Sequence, residues 1–342
     1  MRSKSKIPAK AAAMDPLTTA MNLYQQGKLL ESETLFKRIL TVAPDNNVAL
    51  YSLTLLLLNS KRFDEAIQFA VSGTDSNPEF APLWLIRAAT HKELHQIDDA
   101  LRCYDKAIEL NPKYIEALIN SGAILRDLHR HKESLERFRR VLDIDPNYES
   151  ALGNYGILLT EFKLLPEAIA VFQRLLAINP EYPFGPGLLT YERMHICDWT
   201  DLEKDTALIT DGIHAGKKTC KTLGYMALSD AADDHYQCAK IFAAAQFPSR
   251  YPAVWKGEKY THERIRIAYI SPDLREHPVG HLMAGVIENH DRSRYEIICV
   301  SIGVDDNSSL RARFIAASDH FIVGKDMPTP QIARMLRDME VD

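Results

Sequence analysis

The chain has 342 residues, of which 46% are hydrophobic and 25% are charged, and its formal net charge is −5. This balance is typical of a globular protein of two or three domains and excludes disorder as the dominant state. The basic residues are spread along the chain rather than gathered in a stripe, which argues against nucleic acid as a partner.

The amino-terminal segment, residues 1–14, is basic and lacks the apolar run of a secretory signal, so we interpret it as a disordered tail. No apolar run in the chain approaches the roughly 20 residues that a membrane-spanning helix needs, and the sequence predicts no membrane partner. The five cysteines are scattered and form no C-x-x-C pair, a pattern typical of reduced thiols in the cytoplasm.

Prolines that recur every 34 residues are the strongest internal signal. They are Pro44, Pro78, Pro112, Pro146 and Pro180. A period of this length indicates helix-turn-helix repeats. Each proline is expected to end the second helix of a pair, because it has no amide hydrogen and disfavours helical geometry in the residue before it. The sequence therefore predicts five helix pairs over residues 15–180.

Small residues recur where the two helices of a pair must approach closely. On the first helices they are Ala20, Thr54, Ala88, Gly122 and Gly156, and on the second helices Ser32, Ala66, Ala100, Ser134 and Ala168. One turn later the second helices carry Phe36, Ala70, Tyr104, Phe138 and Phe172, so an aromatic ring is expected beside the small residue in every pair except that of Ala70. This pattern resembles the tetratricopeptide repeat, which implies an α-α superhelix whose concave face holds an extended peptide.

Asparagines on the first helices are candidate contacts for such a peptide. They are Asn22, Asn120 and Asn154, while Ser52 and Ile86 interrupt the series. An asparagine amide offers two donors and an acceptor, so it can pair with a peptide backbone without reading the peptide's side chains. The alternative is that these amides are solvated or bonded to a neighbouring helix.

Residues 181–262 are predicted to form a helical adaptor. The series of prolines spaced by 34 residues ends at Pro180, and the segment EYPFGPGLL that follows indicates a change of architecture. Within the adaptor, HICDWTD at residues 195–201 predicts a turn between two helices. Asp198 and Thr200 are the candidate caps of the second of these helices.

From residue 263 onward, short β-rich runs alternate with helical ones. Strands are predicted at 265–270, 295–302 and 321–323, and helices from Pro278, near 309–317 and near 329–339. The order βαβαβα implies a parallel sheet with helices on both faces, an α/β Rossmann-like arrangement. Ligands bind such sheets at the carboxyl ends of the strands, so the loop SPDLREHPVGH after the first strand is the candidate site.

Within that loop His277 is the candidate catalytic residue. Pro278 suits the first turn of a helix, which places His277 at the amino-terminal edge, where the helix dipole disfavours a charged imidazole. A neutral histidine there could accept a proton next to a phosphate-binding helix end. The alternative is a helix cap with no chemical role. A zinc site is discarded, since Pro278 stands where the H-E-x-x-H motif requires glutamate.

Three features together resemble the protein O-linked N-acetylglucosamine transferase family, including its bacterial members. They are the repeats, HICDWTD, and IRIAYISPDLREHPVGHLM followed by YEIICVSIGVDDNSSLRARF. The resemblance implies a GT-B glycosyltransferase that moves N-acetylglucosamine from UDP-N-acetylglucosamine to serine or threonine with inversion and without a metal or other cofactor. It also implies that His277, the first histidine of H-P-x-x-H, lies in the active site as a base or a positioning residue.

The resemblance further implies that residues 263–342 are only the beginning of the first catalytic lobe. Most donor-binding contacts of the family would then lie beyond Asp342, and this chain alone is expected to bind donor poorly and to transfer no sugar. The competing hypothesis is a peptide-binding scaffold without catalytic activity. The two are distinguished by whether sugar transfer accompanies peptide binding.

Overall fold

The computed structural model describes residues 15–247 and 253–342, so the predicted tail at residues 1–14 lies outside the described residues. The chain divides into two compact units, Met1–Gln246 and Phe247–Asp342, called here the first and the second unit. Within the described ranges, no helix is both long and apolar enough to cross a membrane.

Five consecutive helix pairs begin the first unit, as the 34-residue period predicts. They are α1 (Pro16–Gln25) with α2 (Leu29–Val42), α3 (Asn47–Asn59) with α4 (Phe63–Ser76), α5 (Ala81–Glu93) with α6 (Ile97–Leu110), α7 (Ile115–Asp127) with α8 (His131–Ile144), and α9 (Glu149–Glu161) with α10 (Leu165–Ile178). Each second helix ends two residues before a proline of the series. The residue just before that proline has non-helical geometry in all five repeats, with φ between −136° and −128°, which is the restriction that proline imposes.

The small residues and the aromatic rings pack against each other as predicted. Phe36, Tyr104, Phe138 and Phe172 are at most 1% exposed. A Cβ added to Gly156 would lie 2.5 Å from the Phe172 ring, so the ring fills the space that the glycine leaves open. Where the second helix has serine, its hydroxyl donates to the backbone of the first helix, as Ser134 does to the Gly122 carbonyl at 2.7 Å.

A periodic backbone feature that the sequence analysis missed lies in the turn within each pair. The residue two positions after each first helix has a positive φ, between 57° and 75°, which glycine adopts at no cost and other residues adopt rarely. The five residues are Gly27, Lys61, His95, His129 and Lys163. Their 34-residue spacing shows that the turn geometry repeats even though its residue type does not.

Four further helices complete the first unit: α11 (Gly185–His195), α12 (Leu202–His214), α13 (Thr222–Tyr225) and α14 (Ala232–Gln246). HICDWTD forms the predicted turn, but the predicted caps are wrong. Helix α12 begins after Asp201, and Asp198 instead accepts from the Thr200 amide and hydroxyl and from Arg193 Nε at 2.8 Å. These bonds hold Asp198 in the turn, three residues before Asp201, the residue at the cap position of α12.

The second unit contains a parallel three-stranded sheet in the order β1-β2-β3, formed by β1 (Ile265–Ser271), β2 (Tyr295–Ser301) and β3 (His320–Val323). Helices α15 (Pro278–Glu288), α16 (Ser309–Ala317) and α17 (Thr329–Asp338) follow the strands in turn. Ile265 pairs with Tyr295, and Ile298 with His320, at the starts of the two ladders. The predicted βαβαβα order is confirmed.

Helices lie on both faces of this sheet, as predicted. Ala284 and Phe314, from α15 and α16, pack with Ile297 and Cys299 in one buried cluster. The opposite face carries Val300, and Ile332 of α17 lies on this side, since a Cβ on Gly324 would be 3.1 Å from Val300 and 3.6 Å from Ile332. The three loops after the strands therefore meet at one edge of a sheet that is packed on both sides.

The five cysteines are free thiols, and all except Cys197 are buried. Burial raises the pKa of Cys220 to about 12 and that of Cys299 to about 11. Both thiols therefore stay protonated near neutral pH and contribute packing rather than reactivity.

Candidate functional site

The loops after β1 and β2 touch at the carboxyl edge of the sheet. A Cβ on Gly303 would lie only 2.0 Å from the carbonyl oxygen of Pro272, so the two loops approach too closely for any side chain at this position. The amide of Glu276 also donates to Asp306 Oδ2 at 2.8 Å. Burial is the largest single effect on the pKa of Asp306 and raises it. The hydrogen bonds from the Glu276 amide and from Ser308 together outweigh burial, so the pKa of Asp306 lies below its usual value. The H-P-x-x-H loop is thus fastened to the loop beside it.

We expect Gly303→Ala to lower the free energy of unfolding of the second unit by about 1–3 kcal/mol, because the backbone atom that the new methyl group meets cannot swing aside. Urea denaturation measures the change. Gly285→Ala is the matched control, because a Cβ there meets nothing within 4 Å. Alanine favours the helix more than glycine does, so this change should raise the free energy of unfolding by about 0.5–1 kcal/mol. A Gly303→Ala protein as stable as the parent would contradict the close approach.

His277 is the residue that caps α15. The backbone N–H of Val279 donates to its Nδ1 at 3.2 Å, and the side chain is 35% exposed. The capping interpretation of the sequence is therefore what the structure shows. Because Nδ1 accepts this bond, the neutral ring carries its proton on Nε2 in this state. To accept a proton at Nε2, the ring must instead carry its own proton on Nδ1. Asp273 Oδ2 lies 3.5 Å from Nδ1 and is placed to accept a hydrogen bond from Nδ1–H in that tautomer.

His281, the second histidine of the motif, lies one turn further along α15 and is engaged differently. Its Nε2 is 2.6 Å from Glu276 Oε1, and both side chains are more than half exposed. The bond ties the first turn of α15 back to the loop. His281 is thus hydrogen-bonded to a carboxylate in the same loop, whereas His277 is hydrogen-bonded to a backbone amide and has Asp273 nearby.

Arg311 is a buried cation near this edge that the sequence analysis missed. The residue is 2% exposed, its guanidinium donates to Ser301 Oγ at 2.9 Å, and it lies over the Phe321 ring at 5.0 Å. Asp305 Oδ1 is 2.9 Å from Arg311 Nε, close enough for an ion pair but not aligned as a hydrogen bond. An arginine two residues into a helix gives no sequence signal of this burial.

Positive electrostatic features therefore gather at the carboxyl edge of the sheet. The amino-terminal ends of α15, α16 and α17 all follow the strands here, and each carries partial positive charge. Arg311 adds a positive charge beneath them, which its ion pair with Asp305 offsets in part. Such an edge suits an anionic group such as a diphosphate.

The three candidate asparagines of the first unit have different surroundings. Asn154 already has intramolecular partners: its Nδ2 donates to the Ser150 carbonyl at 2.7 Å and its Oδ1 accepts from Arg126. No hydrogen bond to the Asn120 side chain is formed by the described residues. The position of Asn22 needs a correction: it follows Ala20 by two residues, whereas Asn120 and Asn154 precede their small residues by two, so Asn22 is out of register with them.

A groove of about 630 Å³ runs beside Asn154 in the first unit. Its lining includes Arg126, His129 and Tyr182 together with Lys221. His131 also lines it, and its Nδ1 is 2.6 Å from Glu161 Oε2. His129 and His131 lack the sequence spacing of a metal site, yet the fold brings both to the groove. Among the described residues no group of three or more His, Cys, Asp or Glu side chains is arranged to hold a metal ion.

Family models match both units of the chain. The tetratricopeptide repeat models match residues 17–72, 81–114 and 124–183, and the model of glycosyl transferase family 41 matches residues 232–332. The chain therefore contains tetratricopeptide repeats and, after them, a segment that is similar to glycosyl transferase family 41. The resemblance to protein O-linked N-acetylglucosamine transferases, expected from the sequence, is confirmed at this level.

Two curated relatives carry the same activity in their names. A UDP-N-acetylglucosamine–peptide N-acetylglucosaminyltransferase of Caenorhabditis elegans is 26% identical over 148 residues, which cover 39% of this chain and 13% of the relative. A probable enzyme of the same name, SEC, of Arabidopsis thaliana is 32% identical over 79 residues, 23% of this chain and 8% of the relative. The matched part of the chain thus spans a small fraction of each relative.

Solved structures share the repeat architecture. PilF of Pseudomonas aeruginosa aligns with a TM-score of 0.52 at 14% identity, covering 62% of this chain and 94% of that one. A mutant O-GlcNAc transferase of Thermobaculum terrenum aligns with a TM-score of 0.43 at 22% identity, covering 77% of this chain and 44% of that one. The likeness to PilF shows the fold of the helical repeats alone.

Proposed function

We propose that this chain acts as part of a cytoplasmic protein O-GlcNAc transferase, which moves N-acetylglucosamine from UDP-N-acetylglucosamine to serine or threonine hydroxyls. The observation that carries the proposal is the position of the H-P-x-x-H loop. It joins a parallel strand to a helix at the carboxyl edge of the sheet, within the segment that matches glycosyl transferase family 41.

The chemistry proposed is a single displacement with inversion. The acceptor oxygen forms a bond to the anomeric carbon, the bond from that carbon to the phosphate oxygen breaks, and UDP leaves with the bonding electrons. His277 Nε2 takes the hydroxyl proton, which requires the tautomer that Asp273 favours, or else the ring positions the acceptor through its Nε2–H. Helix amino termini and Arg311 offset the charge that develops on the leaving diphosphate.

No metal is needed in this scheme, because the positive charge next to the leaving group comes from the chain itself. Transfer is accordingly expected to proceed at an unchanged rate in the presence of a chelator such as EDTA. A rate abolished by the chelator and restored by a divalent cation would count against this part of the proposal.

The repeats are proposed to hold the acceptor protein on the face formed by their first helices. Support comes from the groove beside Asn154 and from Asn120, whose amide is not engaged by the described residues. Asn154 contributes only after it exchanges its bonds with Arg126 and Ser150 for bonds to the peptide. Asn22 is out of register and is the weakest member of the set.

Replacing Asn120 by alanine is expected to weaken peptide binding about 5- to 30-fold, since one or two hydrogen bonds to the peptide backbone are lost at about 1 kcal/mol each. Fluorescence anisotropy with a labelled, extended Ser/Thr peptide measures it. Asn147→Ala, at an exposed turn, is the matched control and should leave the affinity unchanged. Equal affinities for the two variants would remove Asn120 from the binding surface.

The proposal as a whole is tested by sugar transfer in the complete gene product. Radiolabelled UDP-N-acetylglucosamine is incubated with that protein and with candidate acceptors, and label on serine or threonine is measured. Incorporation supports the enzyme. Peptide binding without any incorporation would instead support the scaffold hypothesis.

A further inference from the structure

A small cavity of about 220 Å³ lies in the first unit where the last repeat meets α11 and α13. Most of its wall is apolar and is formed by Ile157, Leu188, Tyr191 and Leu223. One acidic side chain of this wall, Glu192 of α11, is almost fully buried. All residues of this wall belong to the first unit, whereas the H-P-x-x-H loop belongs to the second.

Glu192 is a buried carboxylate without a hydrogen bond. The residue is 2% exposed, and no described group donates a hydrogen bond to its Oε2. His195 Nδ1 lies 3.4 Å from that oxygen but is not aligned with it, and the His195 side chain is 46% exposed. A buried carboxylate oxygen that accepts no hydrogen bond is unfavourable, and a cation that enters the cavity and donates to it would offset this cost.

The cavity opens towards a place where a peptide would lie. Ile157, Glu161, Leu188 and Lys221 line both this cavity and the groove beside Asn154. A peptide in the groove can therefore insert a side chain into the cavity without leaving its path. Lys221 forms no ion pair with a described carboxylate in the structure.

We propose that this cavity binds an arginine side chain of a peptide that occupies the groove. The proposal rests on the peptide-binding half of the proposed function and not on sugar transfer. The methylene stem lies along the apolar wall, Tyr191 offers an aromatic ring, and the planar guanidinium donates to Glu192. Glu161 on the shared wall is already paired with His131. Arginine suits the cavity better than lysine, because its charge is spread over a plane and is more weakly hydrated.

The test compares one labelled Ser/Thr peptide with arginine, citrulline or lysine at its centre. Citrulline keeps the shape of arginine and removes its charge. The arginine peptide is expected to bind the complete protein about 10- to 100-fold more tightly than the citrulline peptide, as for a hydrogen bond between charged partners, with lysine between them. Glu192→Gln should abolish this preference, while Glu203→Gln, on the exposed side of α12, should keep it.

A second measurement addresses the cavity without the groove. Nα-acetyl-arginine N-methylamide is titrated into protein with labelled leucine methyl groups, and Leu223, which lines the cavity but not the groove, is followed by NMR. Its resonances are expected to shift in the parent protein and not in Glu192→Gln. Thermal melting confirms that the variant is folded.

Two results would overturn the inference in different ways. Equal binding of the arginine and citrulline peptides, with no methyl shifts, removes the arginine site and leaves the groove intact. If no peptide binds, the groove is not a peptide site, and the methyl titration then tests the cavity alone. Methyl shifts that Glu192→Gln abolishes would support the cavity as an arginine site. The absence of methyl shifts would show that it is not one.

Discussion

Loss of the His277 imidazole is expected to lower the turnover number of the complete gene product about 10²–10⁴-fold, the range for a lost acid–base group. The reason is positional: His277 begins α15 at the carboxyl edge of the sheet, with Asp273 Oδ2 3.5 Å from its Nδ1. The variant to measure is His277→Asn. Asparagine is a good helix cap, so this change keeps an acceptor for the Val279 amide and removes only the imidazole.

Two further variants separate capping from chemistry. His277→Ala removes both the cap and the imidazole, and His281→Ala removes the other histidine of the motif, whose side chain is paired with Glu276. We expect His277→Asn and His277→Ala to be equally slow and His281→Ala to remain near the parent rate. If His277→Asn turns over at the parent rate while His277→Ala is slow, the residue serves as a cap and has no part in the reaction.

The largest stability effect is expected from truncating an aromatic residue in the repeats. Phe138→Ala should lower the free energy of unfolding by about 3–5 kcal/mol, because the ring is fully buried and packs beside Gly122, leaving a cavity that the rigid helix pair cannot close. Urea denaturation followed by circular dichroism gives the total change. Hydrogen exchange shows whether the loss is confined to neighbouring repeats, as expected for a chain of stacked units.

Val42→Ala is the control for this experiment. Val42 also lies on a second helix but is 85% exposed, so its truncation should change the free energy of unfolding by less than about 0.5 kcal/mol. If the free energy of unfolding of Phe138→Ala lies within about 1 kcal/mol of the parent value, the ring does not fill the space beside Gly122.

The repeats could be predicted from the sequence because their determinants are local and recur. Pro112 and Pro146 mark helix ends through the backbone geometry of the residue before them, and Gly156 with Phe172 encodes the contact between paired helices. The left-handed residue in each turn was missed, since lysine and histidine give no signal for a positive φ. Backbone geometry there is imposed by the two helices that the turn connects.

The candidate site was only partly predictable, for reasons that lie in three-dimensional contacts. Pro278 placed His277 at a helix end, which the structure confirms, but the tautomer of the ring depends on the Val279 amide and on Asp273. Arg311 is brought beneath the loops by its bond to Ser301 across the strand–helix connection. Such pairings cannot be read from spacing along the chain.

A crystal structure of the complete gene product with UDP-N-acetylglucosamine and an acceptor peptide tests the proposed function most directly. We expect the diphosphate to lie at the amino-terminal end of α15, the anomeric carbon to lie next to the His277 ring, and the peptide to follow the first helices of the repeats. A donor bound away from the carboxyl edge of the β1–β3 sheet would contradict the proposed function.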